Sequence, residues 1–264
     1  MRTGFLAVAL LLGGCAATPP PAAVSDLAPS GALRAAINVG NPLLAARGAA
    51  GGEPTGVSVD LARELARRLG VPVRLIVYDA AGKVVEAGRT GAWDIAFVAL
   101  DPARAAEIAQ SPPYVVIEGA YLVRSDSTIT GNEQVDRKGN RVVVGRNSAY
   151  DLYLTRTFKQ AEIARAPTSP AVVDLFLKDN YEVAAGVKQQ LEADARRVSG
   201  VRLLPGRFMV INQAMASQRV TDTRGAAGAR YVRDFVEEMK ASGFVAQALE
   251  RHKVQGAAVA PLGL

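Results

Sequence analysis

The sequence has 264 residues, of which 49% are hydrophobic and 21% are charged, a composition that excludes a disordered tail, a coiled coil or a collagen-like fibre. The net charge of +6 is dispersed, because Lys and Arg never run for more than two residues, and this argues against a nucleic-acid partner. One cysteine and one histidine in the whole chain argue against a disulfide framework, a metal site or a Ser-His-Asp triad, so we expect neither a metal nor a cofactor.

The first residues predict an export signal. Arg2 precedes an apolar stretch over residues 5–12, and two glycines then lead to Cys15. A charged start, a short apolar run and a small-residue exit are typical of a secretory leader, which we assign to residues 1–14 and which is too short to span a bilayer. Residues 12–15 resemble the lipobox of bacterial lipoproteins, in which the cysteine is lipidated. A plain signal peptide with an incidental cysteine is the alternative.

The segment after the leader differs in composition from the rest. Residues 15–30 are rich in Pro and Ala and poor in core-forming side chains. This composition predicts an extended tether. The folded body is therefore expected to start near Gly31.

Strands and helices alternate in the first part of this body. Leu61, Leu65 and Leu69 recur at helical spacing, and Gly70 follows them as a stop signal. The predicted elements are, in order, a strand over residues 33–39, a helix from residue 58 to Gly70, a strand over residues 73–78, a helix through Val84 and Val85, and a buried strand over residues 94–100. This alternation predicts right-handed βαβ units and a mostly parallel sheet.

A second set of alternations follows a polar stretch over residues 124–140. Asn147 and Ser148 predict a helix cap, and Pro170 is placed for the first position of another helix. The predicted elements are strands over residues 141–145, 183–185 and 201–204, helices from about residue 149 to 160 and from Ser169 through Leu177, and two closing helices through Tyr231 to Met239 and through Val245 and Leu249. We therefore expect a second α/β unit.

Ligands of open α/β sheets bind beyond the carboxyl ends of the strands, which makes the loops there informative. After the third strand, Asp101 and Pro102 open a helix that carries Arg104 one turn in. Backbone N–H groups and an arginine fork together suit a carboxylate. An ordinary exposed arginine on a first turn fits the pattern as well.

Two further loops offer polar groups. After the fourth strand, Ser148, Ala149 and Tyr150 form a helix start with hydroxyl and phenol donors, or simply a cap. Asn41 follows the first strand at a tight turn, where turn chemistry alone also explains it.

Four segments of the chain occur in a characteristic order. Residues 56–66, residues 93–96, Arg104-Ala105 and residues 111–114 look like the successive signatures of the bacterial extracellular solute-binding proteins, family 3. These are the amino-acid-binding components of ABC importers. The match runs in order from about residue 31 to residue 252.

The resemblance implies the type II periplasmic-binding fold, an α/β architecture of two lobes joined by two crossing segments. It places these crossings near residues 115–123 and 208–216. Lobe 1 would then comprise residues 31–118 plus 212–264, and lobe 2 residues 119–211. Trp93 is expected in the core rather than against a ligand.

The resemblance also assigns roles to single residues. Arg104 matches the arginine that clamps the ligand carboxylate, and Ser148 and Ala149 match the helix start that supplies further donors. Ala99 and Asp101 stand where the family has Ser or Thr, so we expect a reshaped carboxylate cradle that includes them.

Two other family features are missing. Val187 stands where the family has the aspartate for a ligand ammonium, and the turn at Asn41 has no aromatic. A ligand ammonium would need another anion, for which Glu118 and Asp101 are the candidates. Glu118 fits a solvated hinge position equally well. Alternatively, Lys188 opposite Arg104 would suit a dicarboxylate or another acid without an amine, although an exposed Lys188 is the simpler arrangement.

The resemblance implies a monomeric, lipid-anchored, periplasmic or otherwise extracytoplasmic protein without catalytic residues. It would capture a small carboxylate-bearing solute by hinge closure and pass it to an ABC permease in the membrane. Two alternatives share this scaffold. An enzyme resembling the cyclohexadienyl dehydratases would use Glu118 as a general acid, and a ligand sensor would signal to a membrane partner.

Overall fold

The structure covers most of the chain. The computed structural model describes residues 18–48, 51–221 and 225–264. The predicted leader and the predicted lipidation site at Cys15 lie outside these residues. No helix in the described parts of the chain combines the length and the apolar character needed to cross a membrane.

The first part of the described chain alternates strands and helices as the sequence predicts, after one additional helix. Its elements are α1 (Pro21–Leu27), β1 (Leu33–Asn38), α2 (Val57–Leu69), β2 (Val73–Tyr78), α3 (Ala81–Gly88), β3 (Ile95–Ala99) and α4 (Pro102–Ala105). β1 pairs in parallel with β2 on one side and with β3 on the other. Leu61, Leu65 and Leu69 of α2 are buried, which is the reason for their four-residue spacing.

The second alternation also forms, with one strand that the sequence analysis missed. Its elements are β5 (Arg141–Gly145), α5 (Ala149–Thr157), β6 (Glu162–Ala166), α6 (Val172–Lys178), β7 (Val183–Val187) and α7 (Lys188–Arg197). β5 pairs in parallel with β6 and β7. The missed strand β6 lies at the sheet edge, where its half-exposed, charged sequence lacks an apolar run.

Two long strands connect these halves. The remaining elements are β4 (Ile108–Arg124), β8 (Val201–Leu203), β9 (Met209–Gln218), α8 (Ala226–Ala241), α9 (Phe244–Arg251) and β10 (Ala258–Val259). β4 and β9 pair with each other in antiparallel fashion, and β9 also pairs with β3 while β4 also pairs with β7. Within the described residues the ten strands therefore form one sheet, whose main path is β2-β1-β3-β9-β4-β7-β5-β6.

Each half has the mostly parallel sheet that was expected, and the centre of the whole sheet is antiparallel. The outer pairs are parallel, but the three pairings that link β3, β9, β4 and β7 are antiparallel. The cause is the direction of the two crossing segments, since one enters the second half and the other returns from it. The predicted crossings, residues 115–123 and 208–216, fall on these strands, and the lobe boundaries at residues 118 and 211 stay a prediction.

The single tryptophan and the single histidine of the sequence have structural contacts. Trp93 is fully buried, as expected, and its indole Nε1 donates to the carbonyl oxygen of Val84 at 2.8 Å. His252, which follows α9, has its Nε2 2.8 Å from an Asp60 carboxylate oxygen. Arg251 also pairs with Asp60, at 2.6 Å. These contacts hold the end of α9 against α2.

The prediction of an extended tether over residues 15–30 is wrong for residues 21–27, which form α1. Leu27 is only 1% exposed and lies against α8. The Asp26 carboxylate accepts a hydrogen bond from the Gly228 backbone N–H at 3.0 Å. A Cβ on Gly228 would lie 2.8 Å from Cβ of Asp26, so the glycine is what allows the close approach. The composition of this segment indicates a linker, but the packing of Leu27 against Gly228 stabilises it as a helix.

This packing predicts that Leu27→Ala destabilises the whole protein. Removing a fully buried leucine side chain should lower the free energy of unfolding by about 2–5 kcal/mol in urea titrations. Ser25→Ala, on the exposed face of the same helix, is the control and should change it by less than about 0.5 kcal/mol. Equal, small effects of the two substitutions would mean that α1 is not part of the folded body.

Candidate functional site

Arg104 lies at the carboxyl end of β3, on the short helix α4. Asp101 precedes this helix, and its carboxylate accepts the Ala103 backbone N–H at 2.8 Å. Pro102 occupies the first helical position, as the sequence predicts. The cap fixes the direction of the helix, and the Arg104 side chain is only 3% exposed as a result.

The Arg104 guanidinium bridges the two halves of the sheet. Its Nη1 donates to the carbonyl oxygen of Ala99 at 2.9 Å, at the end of β3. Its Nη2 donates to the carbonyl oxygen of Asn147 at 2.8 Å, just before α5. Among the described residues no carboxylate forms an ion pair with Arg104. Burial lowers its pKa to about 10, against the opposing effect of the nearby Asp101 charge. The group is therefore a buried cation at neutral pH.

A tight turn presents the Asn147 carbonyl to Arg104. Asn147 adopts a left-handed conformation with φ of 55°, and its N–H donates to the Asp151 carboxylate at 2.7 Å. Ser148 caps α5, because its hydroxyl oxygen accepts the Asp151 N–H at 3.0 Å. From the other half, Gly82 of α3 lies so close that a Cβ there would be 2.6 Å from Cβ of Asn147. The two halves therefore meet tightly at this turn.

A small cavity of about 40 Å³ lies behind this contact. Residues of both halves and of β9 line it: Asn38, Gly40, Asn41, Ala81, Ala99, Arg104, Ser148, Ala149, Tyr150, Ser169, Val187, Ile211 and Gln213. Six residues that the sequence analysis selected thus come together: Asn41, Ala99, Arg104, Ser148, Ala149 and Tyr150. At about 10–15 Å³ for each water, the cavity has room for roughly three to four water molecules.

A wider cavity opens on the outer side of Arg104. It measures about 320 Å³, and its lining includes Glu86, Arg89 and Glu107 as well as Arg104 and Asn147. Arg104 lines both cavities, whereas Asn147 lines only the outer one, and Arg104 donates to the Asn147 carbonyl oxygen from its place between the two spaces. A third space, a groove of about 500 Å³, runs past Asp101 to α8, and Arg104 does not line it. We place the candidate site at the inner cavity, because the other residues selected from the sequence meet Arg104 there.

Three selected residues do not reach the inner cavity. Asp101 is 3% exposed at its side chain and pairs instead with Arg156 of α5 at 2.8 Å, which makes a second bridge between the halves. Glu118 pairs with Lys188 at 3.1 Å and with Arg207 at 2.6 Å. Lys188 therefore does not face Arg104, because it begins α7 beside Glu118 and is neutralised there.

Four polar or backbone contributors to the cavity were missed in the sequence: Asn38, Gly40, Ser169 and Gln213. Ile211 and Gln213 lie two residues apart on β9, so the alternation of a strand turns both to the same face. That period of two was the available signal for Gln213. The sequence around Ser169 signalled only a helix start. Its approach to Tyr150 depends on the pairing of β5 with β6, which places Gly145 opposite Ala166.

The inner cavity is lined by one charged group and several neutral polar groups. It offers a buried guanidinium, hydroxyl groups of Ser148, Ser169 and Tyr150, and neutral amides. Burial raises the pKa of the Tyr150 phenol, so it stays a neutral hydrogen-bonding group. In the described part of the chain, His, Cys, Asp and Glu side chains nowhere form a group of three that could hold a metal ion.

Comparison with known proteins gives a consistent family and fold. The family model of the bacterial extracellular solute-binding proteins, family 3, matches residues 33–255. Comparison with curated protein sequences gives no match.

Solved structures with this fold are numerous. A solute receptor for L-cysteine of Neisseria gonorrhoeae superposes with a TM-score of 0.74 at 21% identity, over 88% of this chain and 94% of that chain. A mutant of ArgBP from T. maritima gives 0.73 at 18% identity, over 88% of this chain and 100% of that chain. The ancestral amino-acid-binding protein AncCDT-1, a precursor of cyclohexadienyl dehydratase, superposes with a TM-score of 0.70 at 18% identity, over 86% of this chain and 98% of that chain. The type II periplasmic-binding fold is thereby confirmed.

The buried cation predicts an unusual stability effect for Arg104→Met. The depressed pKa corresponds to a penalty of about 3 kcal/mol, present in full below pH 10 and relieved as the pH rises towards 12.5. Methionine removes this penalty but also loses two hydrogen bonds from a charged donor, worth about 1.5–3 kcal/mol each. The two effects largely offset each other, so without ligand the free energy of unfolding should fall by no more than about 2 kcal/mol in urea titrations. Arg89→Met, at an exposed ion pair, should change it by less than about 0.5 kcal/mol. A fall of more than about 2 kcal/mol for Arg104→Met would show that the guanidinium mainly holds the fold together.

Proposed function

Because the chain belongs to the bacterial extracellular solute-binding proteins, family 3, we propose that it captures a small carboxylate-bearing solute outside the cytoplasm and delivers it to an ABC importer. The solute would be an amino acid or a related organic acid. The observation that carries this proposal is the buried Arg104 guanidinium, which lines a cavity between the halves of the sheet and has no carboxylate partner among the described residues.

A carboxylate would complete the hydrogen bonding of Arg104. The guanidinium has five N–H donors, and two of them are used by the carbonyl oxygens of Ala99 and Asn147. The Ser148 hydroxyl, whose oxygen accepts the Asp151 N–H, lines the same cavity and would turn its hydrogen towards a bound anion. Charge-assisted bonds of this kind, out of contact with water, are the strong ones. Micromolar affinity requires only about −8 kcal/mol.

Capture would proceed by closure of the two lobes. The cavity walls come from β1, β3 and α3 on one side and from α5 on the other. A solute can contact both sides only in the closed arrangement, and it therefore shifts the equilibrium towards that arrangement. Two bridges, Arg104 to Asn147 and Asp101 to Arg156, form across the same contact and add to the closed state.

The proposal includes a membrane anchor at Cys15. Since α1 begins at Pro21, only five residues would separate a lipidated cysteine from the folded body. Five extended residues span at most about 18 Å. The binding protein would then be held close to the membrane and to its permease, rather than on a long tether.

The alternative of a dehydratase-like enzyme depends on Glu118 as a general acid. The hydrogen bonds from Arg207 and Lys188 lower the pKa of this carboxyl, so it is ionised and has no proton to donate. It also lies outside the inner cavity. These observations favour binding without chemistry, and purified protein should not turn over prephenate or arogenate.

The proposal predicts that Arg104 decides affinity. A thermal-shift panel of amino acids, short monocarboxylates, dicarboxylates and amines should give hits only among the carboxylates, since a compound at 100 times its Kd adds about 2.7 kcal/mol. For the best hit, Arg104→Met should weaken binding at least about 100-fold in calorimetry. Arg89→Met, in the outer cavity, should leave the affinity within about threefold. A panel without any carboxylate hit, or an Arg104→Met protein with near-unchanged affinity, would contradict the proposed function.

The proposed closure makes a separate prediction for Arg156. Its ion-pair partner, Asp101, does not line the inner cavity. Arg156→Met removes the bridge to Asp101 and should lower the affinity for the best hit by about five- to tenfold, because only the closed state loses a contact. In X-ray scattering, Arg156→Met should have a larger radius of gyration than the unsubstituted protein without ligand, or should become less compact at the same solute concentration. Arg197→Met, whose ion pairs stay within the second half, is the matched control. Identical behaviour of both variants would argue against closure at this contact.

A further inference from the structure

We propose that the solute is a short monocarboxylate without an ammonium group, carrying at most a neutral substituent such as a hydroxyl or oxo group. This inference rests on the proposed function and narrows it, since that function allows amino acids and organic acids alike. It comes from the charges in and around the inner cavity and from its size.

The inner cavity carries one positive charge and no negative charge. Among the described residues that line it, Arg104 is the one cationic side chain, and none is an aspartate or a glutamate. One bound carboxylate brings the total charge of the closed site to zero. An amino acid would bring a carboxylate and an ammonium together, and the site would keep a net positive charge out of contact with water.

The buried carboxylates on neighbouring elements are already paired. Asp101 receives Arg156 and the Ala103 N–H. Asp151 pairs with Arg165 at 3.0 Å and also accepts the Asn147 N–H. Each of these aspartates thus has its own arginine and its own backbone donor. Neither is left over to receive a ligand ammonium.

The charges around the cavity also disfavour a second carboxylate on the solute, because no second cation faces the cavity among the described residues. Lys188 could have met it, but its Nζ lies 3.1 Å from the Glu118 carboxylate. The residue before it, Val187, does line the cavity and presents an apolar wall there. A dicarboxylate would therefore bury one anion without a partner.

The size of the cavity favours a small solute. A space of about 40 Å³ holds roughly three to four water molecules, which suits a solute of two or three carbon atoms better than a larger one. The remaining polar groups of the wall are neutral, namely the hydroxyl groups of Ser148 and Ser169 and the amides of Asn41 and Gln213. Neutral groups of both kinds can hydrogen-bond a hydroxyl or an oxo oxygen next to the carboxylate.

Calorimetry on matched pairs tests the inference on the intact protein. Glycolate is compared with glycine, L-lactate with L-alanine, and succinate serves as the dicarboxylate. We expect L-lactate and glycolate to bind at least about tenfold tighter than the amino acids and than succinate. Tighter binding of an amino acid or of succinate would overturn the inference and leave the proposed function standing. Absence of binding by every carboxylate, including the larger ones of the panel, would overturn both.

A charge introduced at Val187 gives an independent test. Val187 is the residue before α7, where Asp and Asn are both favoured as helix caps, so both variants should fold. Val187→Asp should reverse the preference within the lactate and alanine pair by at least about tenfold, because its carboxylate supplies the missing partner for an ammonium. Val187→Asn, of the same size without the charge, should keep the preference for lactate. Loss of the difference between these two variants would show that charge at this wall does not select the solute.

Discussion

The organisation of this protein depends on one buried guanidinium. Arg104 reaches from the end of β3 to the turn before α5 and donates to one backbone carbonyl on each side. Its charge is out of contact with water and is not neutralised by a described carboxylate, an arrangement that costs folding free energy. Such a cost is retained where a charged partner arrives from outside, and the cavity beside Arg104 is where that partner would bind.

The arginines and carboxylates around Arg104 are paired with one another and leave Arg104 without an ionic partner among the described residues. Asp101 and Asp151 are buried next to the site and are each satisfied by another arginine. Glu118 is held between Lys188 and Arg207 at the surface. Asp101, Glu118 and Lys188, which the sequence suggested as ligand contacts, are therefore neutralised by other side chains. The inner cavity keeps a single positive charge, that of Arg104.

The sheet supplies the mechanical basis of the site. β4 and β9 run antiparallel through both halves, and the parallel strands on either side attach to them. The cavity lies where β3 and β9 on one side meet α5 on the other, so the proposed closure would act on it directly. β4 contains Pro112 and Pro113, and its pairing with β9 shifts register there, because proline cannot donate to the ladder.

The sequence by itself determined the elements whose signals are local. The leucine spacing of α2, the apolar run of β3 and the caps of α4 and α5 each depend on neighbours within a few residues, and the order of weak motifs was enough to identify the family and to select Arg104. Tertiary structure decided the rest. The continuity of β4 through two prolines depends on β9, α1 depends on Gly228 about two hundred residues later, and the pairing of Lys188 with Glu118 depends on the register of β7 on β4. Partners so distant in the chain leave no periodic pattern, because their contact exists only once the strands have been brought together.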